Sequence, residues 1–373
     1  MPIRPTIATV DLDAIRHNLG VIRQLAPGSP ICAVVKANAY GHGLCEVALA
    51  LADAGVDWLA VALVEEGARL RAAGIHIPVL LLGTGYTGST RGIVQYNLTP
   101  AIYRVDQLES LAQVASSRLV RFHLKIDTGM SRLGLQPEEL GAFLDSLNNH
   151  PNLRLDGVMT HFANADIGDA ELTQTQLDRF NDCTAFIASR GIEPPWVHTS
   201  NSAAVLSFPN TRQGLLRTGL SIYGIDPRLE RAVAGLRPAM QWTTRVMHLK
   251  NIAANTPVSY GGRWTAPRPS RIATLPVGYA DGYMRTMGNR AYVLVRGQRA
   301  PIVGSVCMDL CLADVTDIPN VAIDDEVVIL GKQGDDEVSV YRLAEWAGTI
   351  PYEIVCAVGN RVPREHYGSV TRA

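Results

Sequence analysis

The sequence predicts an α/β fold in two parts: a (β/α)8 barrel over residues 1–238, then a mostly-β domain over residues 239–373. Three observations predict it. Apolar, β-prone runs alternate with amphipathic helical patterns over about 230 residues, and barrels of this kind typically take about 250. Beyond Pro238 the helical patterns fade, and strands separated by turns take over. No Gly-x-Gly-x-x-Gly fingerprint follows the first strand, which argues against a doubly wound dinucleotide-binding sheet.

The elements follow in order. Ile15, Leu19 and Ile22 recur at helical spacing after Asp11 and Asp13, which can cap the helix. Residues 31–35 form the first strand, and Leu44, Val47, Ala48 and Leu51 share a helix face. A second strand at 58–63 leads to a helix around 65–73, and third and fourth strands lie at 78–82 and 100–103. Leu108, Leu111 and Ala112 mark a helix before the fifth strand, 121–126. Residues 138–147 are helical, with Pro137 suited to the first turn. The sixth strand is 155–159, and Leu177, Phe180, Thr184 and Ile187 mark a long helix. The seventh and eighth strands are 196–198 and 215–217. In the second domain, strands are expected at 244–250, 271–276, 291–295, 300–303, 311–314 and 326–330, with one helix at 340–347.

Composition narrows the function class. Hydrophobic residues make up 47% and charged residues 18% of the 373, which suits a globular chain with a large core. A net charge of −1, with no basic cluster interleaved with aromatics, gives no reason to expect a nucleic acid or membrane partner. The six cysteines (32, 45, 183, 307, 311 and 356) form no C-x-x-C pair, so no metal site is expected. Cys32 and Cys356 sit in apolar runs and are expected to be buried. Reduced thiols, no apolar leader and no membrane-length apolar run lead to the expectation of a soluble cytoplasmic protein.

Lys36 carries the strongest chemical signal. It ends the apolar run 31–35 and is followed by Ala37-Asn38-Ala39-Tyr40 and a Gly41-His42-Gly43 turn. A lysine against an apolar wall has its ammonium disfavoured and its amine made more nucleophilic. That suits a Schiff base with pyridoxal 5'-phosphate (PLP). A lysine snorkelling from a strand end to water is the competing explanation.

In a barrel, functional groups gather at the C-terminal ends of the strands. Reactive types recur at these expected ends: Lys125 to Arg132 after the fifth strand, His161 after the sixth, His198 to Ser202 after the seventh, and Arg217 with Gly219 after the eighth. Each has a plainer reading. Lys125 could be solvated, Arg132 a surface residue, His161 a satisfied core histidine, and Arg217 part of an ion pair at the core edge. Ser200, Asn201 and Ser202 could simply cap a helix, although the same geometry binds phosphate.

Taken together, Val34-Val35-Lys36-Ala37-Asn38-Ala39-Tyr40-Gly41-His42-Gly43, Lys125-Ile126-Asp127-Thr128-Gly129-Met130-Ser131-Arg132-Leu133-Gly134, Thr160-His161-Phe162-Ala163, Ser200-Asn201-Ser202-Ala203-Ala204, Arg217-Thr218-Gly219, Gly278-Tyr279-Ala280-Asp281-Gly282, Cys307-Met308-Asp309 and Pro351-Tyr352-Glu353 resemble the alanine racemases, in order and over essentially the whole chain. The resemblance implies a PLP-dependent enzyme interconverting L- and D-alanine with one base on each cofactor face. Lys36 would hold PLP and serve the D-alanine face. Tyr279 of a partner subunit would serve the L-alanine face, which implies a head-to-tail homodimer with composite sites. An unperturbed tyrosine has a pKa of about 10. That role therefore needs a cationic neighbourhood, with His161 and Arg217 as its sources.

The resemblance further implies that Arg217 faces the PLP ring nitrogen, that His161 packs beside the ring, and that Tyr40, Ser202, Gly219 and Tyr352 secure the phosphate. Arg132 and the Met308 amide would hold the substrate carboxylate, and Lys125 would be carbamylated, relieving its repulsion from Arg132. The first ten or so residues would be open to packing with the second domain. D-alanine supply for cell-wall peptidoglycan is the implied role. Two departures stand out: Ser305 where the family often has arginine, and Thr218 where proline is common. A barrel-type PLP decarboxylase is the alternative from another reaction class, opposed by Arg217 where a carboxylate would be needed. A non-enzymatic PLP-binding protein is a third, opposed by the second domain.

Overall fold

The computed structural model describes residues 4–83, 88–228 and 235–368, so the outer limits of the expected domains, 1 and 373, lie outside the described residues. The chain divides into two compact units. Among the described residues, one comprises 15–39, 44–83, 88–228 and 235–237; the other comprises 4–14, 40–43 and 238–368.

The first unit is an eight-stranded parallel barrel. With β1 the strand Ile7–Asp11 of the other unit, the barrel strands are β2 (Ile31–Val34), β3 (Trp58–Val61), β4 (Val79–Leu81), β5 (Thr99–Ile102), β6 (Val120–Lys125), β7 (Leu153–Met159), β8 (Trp196–His198) and β9 (Leu216–Thr218). They pair in the order β8-β7-β6-β5-β4-β3-β2-β9. The ladder between β8 and β9 is replaced by single bonds, Leu215 N–H to Val197 O at 3.3 Å and Arg217 N–H to Ser200 O at 3.0 Å, so the barrel is nearly closed. Every residue of β2, β3 and β4 is buried. Parallel strands covered on both faces read as continuous apolar runs, which is why the sequence locates them. The seventh strand coincides with expectation, and the other barrel strands differ from it by one or two residues at an end. The helix Ser89–Gln95, which carries no clear apolar stripe, is an addition. Pro137 opens a short 3-10 turn, Pro137–Glu139, ahead of the helix Leu140–Leu147.

The second unit is mostly strand. Its main sheet joins β1 to β10 (Met240–Arg245), β15 (Tyr292–Val295), β16 (Gln298–Pro301), β18 (Glu326–Gln333) and β20 (Arg364–Tyr367) in the order β16-β15-β18-β10-β1-β20, with β19 (Asp336–Val338) on β18. A smaller sheet orders β11 (His248–Ile252), β14 (Ser270–Leu275) and β17 (Cys311–Asp314) as β11-β14-β17. β12 (Pro257–Val258) and β13 (Trp264–Thr265) make a two-stranded ribbon. The single strand expected at 244–250 is two strands in separate sheets, because the pairing changes partner at Val246-Met247, whose N–H groups donate to Asp325 O and Thr274 O. A second helix, Pro351–Ala357, follows the expected Val340–Ala347. Its Ile354 and Val355 face inward, which turns Cys356 outward, so that cysteine is exposed rather than buried.

Candidate active site

β6 supplies two side chains to the barrel interior. His123 and Lys125 are two residues apart, so they share a face of the strand. His123 is fully buried, and its Nδ1 lies 2.9 Å from His198 Nε2. His198 Nδ1 in turn lies 2.9 Å from Arg217 Nη1. Arginine only donates, so His198 accepts at Nδ1 and must donate from Nε2 to His123. Both imidazoles are held neutral. Burial pushes His123 down to about 3, aided by Arg217, and holds His198 well below the usual histidine range. A Cβ on Gly157 would lie 2.7 Å from the His123 ring, so only glycine leaves room for it.

Arg217 is 3% exposed and has no carboxylate partner among the described residues. Nη1 also donates to His198 O at 2.9 Å, and Nη2 donates to Thr160 O at 2.6 Å and Thr199 O at 2.9 Å. Among the described residues Nε–H has no acceptor, so it is the donor left for a ligand. Burial lowers the guanidinium to about 10, which still leaves it a cation at neutral pH.

Lys125 is not solvated. It is 7% exposed and has no side-chain hydrogen bond among the described residues. Burial, then Arg132 and Arg217, push it down to about 8, against a small opposing effect from Asp127. The Lys36 ammonium is close enough to depress both Lys125 and His161. Burial comes first for His161 too, followed by Arg217, Lys125, Arg132 and Lys36, and holds it well below its usual value. His161 is therefore neutral and does not supply the positive charge expected of it from the sequence, whereas Arg217 stays a cation. Asp127, the acidic neighbour, spends its Oδ1 on the backbone N–H groups of Gly129, Met130 and Ser131, each at 3.0 Å. Arg132 is exposed and without a hydrogen-bond or ion-pair partner among the described residues.

Ser202 begins the short helix Ser202–Ser207, and Asn201 Oδ1 caps it by accepting the Ala204 N–H at 2.9 Å. Ser202 Oγ accepts the Gly219 N–H at 2.7 Å, which ties this helix to the loop after β9. Lys36 is partly exposed at the end of β2. The four residues after it have φ between 51° and 56° without a glycine among them. Such left-handed backbone costs roughly 1–2 kcal/mol per L-residue and collects where function demands it.

The second unit holds the remaining expected residues. Tyr40 and Tyr352 have ring centroids 6.1 Å apart. Tyr40 is 7% exposed, and burial, then Tyr352 and Cys356, raise its phenol, keeping it a neutral donor. Tyr279 is tied to the Met308 segment: its N–H donates to Cys307 O at 3.0 Å and the Ala280 N–H to Met308 O at 3.0 Å. A Cβ on Gly278 would meet Met308 O at 2.3 Å, so this approach requires glycine. Asp281, fully buried, anchors the loop with Arg4 at 2.5 Å.

Sequence reasoning gave no role to Tyr260, which is 73% exposed. It follows Ser259 at φ 63° and precedes Gly261 at φ 73° and Gly262 at φ 54°. Ser305 Oγ donates to Tyr260 O at 3.0 Å, and Ser259 Oγ to Ser305 O at 2.7 Å. The available signal was a tyrosine before a glycine pair after a short apolar strand.

The alanine racemase N-terminal domain profile matches residues 10–227, and the alanine racemase C-terminal domain profile matches residues 239–366. This chain belongs to the alanine racemase family. The family's members are isomerases acting on amino acids. Relatives include the alanine racemases of Halothermothrix orenii, 42% identical over 98% of this chain and 98% of that protein, and of Geobacter sulfurreducens, 44% identical over 98% and 97%. Among solved structures, the alanine racemase of D-cycloserine-producing Streptomyces lavendulae has a TM-score of 0.94 at 36% identity, covering 99% of both chains. The biosynthetic alanine racemase of Pseudomonas aeruginosa gives 0.89 at 38%, covering 98% of this chain and 100% of that one. No helix among the described residues is long and apolar enough to cross a membrane.

Proposed function

We propose that this alanine racemase family member interconverts L-alanine and D-alanine with PLP as cofactor, through one proton-transferring group on each face. The observation that carries the reading is the gathering of Lys36, Lys125, His161 and Arg217 at one barrel mouth, with no carboxylate bonded to Arg217 among the described residues. The donor set fits the cofactor. Lys36, Lys125, Arg132 and Arg217 outnumber Asp127, and that surplus of positive charge suits a phosphate and a substrate carboxylate.

PLP when bound supplies the electron sink that makes an amino acid α-proton removable. Lys36 would hold it, and the Lys36 amine would carry the proton on the D-alanine face. Tyr40, Ser202, Gly219 and Tyr352 would secure the phosphate, Tyr40 as a neutral phenol. His161 would pack beside the ring as a neutral imidazole. Arg217 would meet the ring nitrogen with an N–H it does not release, a setting that favours return of the proton over decarboxylation. Arg132 and the Met308 amide would orient the substrate carboxylate. Carbamylation of Lys125, in which its amine adds carbon dioxide and loses a proton, would turn a cation beside Arg132 into an anion that fixes it.

The L-alanine face calls for a tyrosine of the second unit. Tyr279 is the residue that the family resemblance implies. Tyr260 is the second reading, favoured by its 73% exposure against 44% for Tyr279 and by its strained, glycine-flanked turn. Exposed tyrosines that must work on a buried site support a homodimer in which each subunit completes the other's site. D-alanine for peptidoglycan is the proposed use, in the cytoplasm.

The test is incubation of PLP-supplied protein with L-alanine in deuterated water. Deuterated D-alanine formed in step with α-proton loss supports the reading, and Lys36→Ala should lower it more than about a thousandfold. Carbon dioxide release without D-alanine would overturn it in favour of decarboxylation.

A further inference from the structure

Glu66 lies outside every residue set above, yet it reaches the turn after Lys36. That turn runs left-handed through Ala37, Asn38, Ala39 and Tyr40, and only asparagine among them visits this region readily. Its hydrogen bonds include three from separate parts of the chain. Ala39 N–H donates to Val35 O at 2.8 Å, Leu44 N–H to Asn38 Oδ1 at 3.0 Å, and Ala37 N–H to Glu66 Oε1 at 2.6 Å. Of these three, the last comes from a charged side chain distant in sequence and is the shortest. Glu66 is itself immobilised. Its Oε2 accepts the N–H groups of Ala62 at 2.8 Å and Leu63 at 3.1 Å, where β3 passes into the helix Val64–Ala72. One carboxylate thus joins the end of the neighbouring barrel strand to the first residue after the lysine.

We propose that Glu66 is a positioning residue for Lys36, its carboxylate clamping Ala37 and so holding the left-handed turn that fixes how the lysine leaves β2. This rests on the reading of Lys36 as the cofactor-bearing residue. A charged acceptor suits the task, because a charge-assisted bond is roughly twice as strong as a neutral one and resists the turn's tendency to relax. A residue that only caps the helix would need Oε2 but not Oε1.

The test compares Glu66→Gln, Ala37→Gly and the double variant. Glutamine keeps the size but only one accepting oxygen, so the helix cap or the turn loses its bond. Glycine at 37 takes the observed φ of 52° without steric cost, so it makes the clamp less necessary. The first readout is the rate at which added PLP is trapped on Lys36 by borohydride, mapped by peptide mass spectrometry. The second is the split between kcat and KM for alanine. E66Q is expected to slow Lys36 labelling about tenfold and lower kcat by a similar factor, with KM within about twofold. A37G alone changes little, and the double variant recovers most of the loss. Glu66→Asp, which keeps the charge but shortens the reach, gives an intermediate loss and stands in if E66Q does not fold. Labelling of Lys36 at the native rate in E66Q, or no recovery in the double variant, overturns the clamp and leaves Glu66 a helix cap. Absence of labelling at Lys36 in the native chain overturns the underlying reading, and the clamp with it.

Discussion

The barrel mouth and the Tyr279–Met308 region of the second unit solve opposite problems. At the mouth, Lys125 is 7% exposed and Arg217 3%, both cationic at neutral pH and without carboxylate bonds among the described residues. Uncompensated buried charge is expensive. Such a site is organised for anions before any arrive. In the second unit, Tyr260, Tyr279 and Met308 are 73%, 44% and 53% exposed; the Ser305 hydroxyl donates to the Tyr260 carbonyl, and the Tyr279 and Ala280 N–H groups donate to the carbonyls of Cys307 and Met308. There the backbone is held by hydrogen bonds and the side chains stay accessible. The difference teaches that charge placement belongs to the barrel and presentation of neutral, surface-accessible groups belongs to the second unit.

The sharpest way to break this comparison is to remove each tyrosine. Loss of a positioned proton acceptor costs about 10²–10⁴-fold. Either Tyr260→Phe or Tyr279→Phe should abolish α-proton exchange of L-alanine in deuterated water while exchange of D-alanine, which the proposal gives to Lys36, persists. Two variants with unchanged L-alanine exchange would remove the second unit from proton transfer altogether.

A smaller effect is expected at Lys125. Its amine is pushed down to about 8 from an ordinary 10.5, so free amine rises with pH through that point, and carbamate formation should accelerate between about pH 7 and 9. Intact-mass measurement with bicarbonate should show one added carbon dioxide, absent in Lys125→Met, whose KM for alanine should rise about tenfold as Arg132 loses its fixed partner. An unmodified amine in a high-resolution structure grown with bicarbonate would defeat this.

The smallest effect distinguishes the tyrosines again. Ser305→Ala deletes the 3.0 Å bond to Tyr260 O, worth about 1 kcal/mol. A several-fold drop in kcat is expected if Tyr260 is the base; an unchanged kcat would point back to Tyr279.

Much of the fold was legible because barrel strands are buried on both faces and announce themselves as apolar runs. Strand β1 was not read, because its half-buried alternation over five residues is weak beside the helix that follows. The left-handed turn was hidden as well: Ala37, Ala39 and Tyr40 carry no signal for positive φ, which is imposed by the bonds to Glu66, Val35 and Leu44. The motif residues could be named from sequence. The His123–His198–Arg217 chain could not, because it joins β6, β8 and β9 across the barrel.

By itself, the sequence determined the alternation of elements, the change to β structure after Pro238 and the residue types at each strand end, since periodicity and chemical type are local properties. Only the tertiary structure decided which lysine lost its water, which histidines stay neutral and which arginine is buried without a carboxylate bond among the described residues. Burial and charge depend on neighbours brought together from strands far apart in the chain, and no local pattern records them.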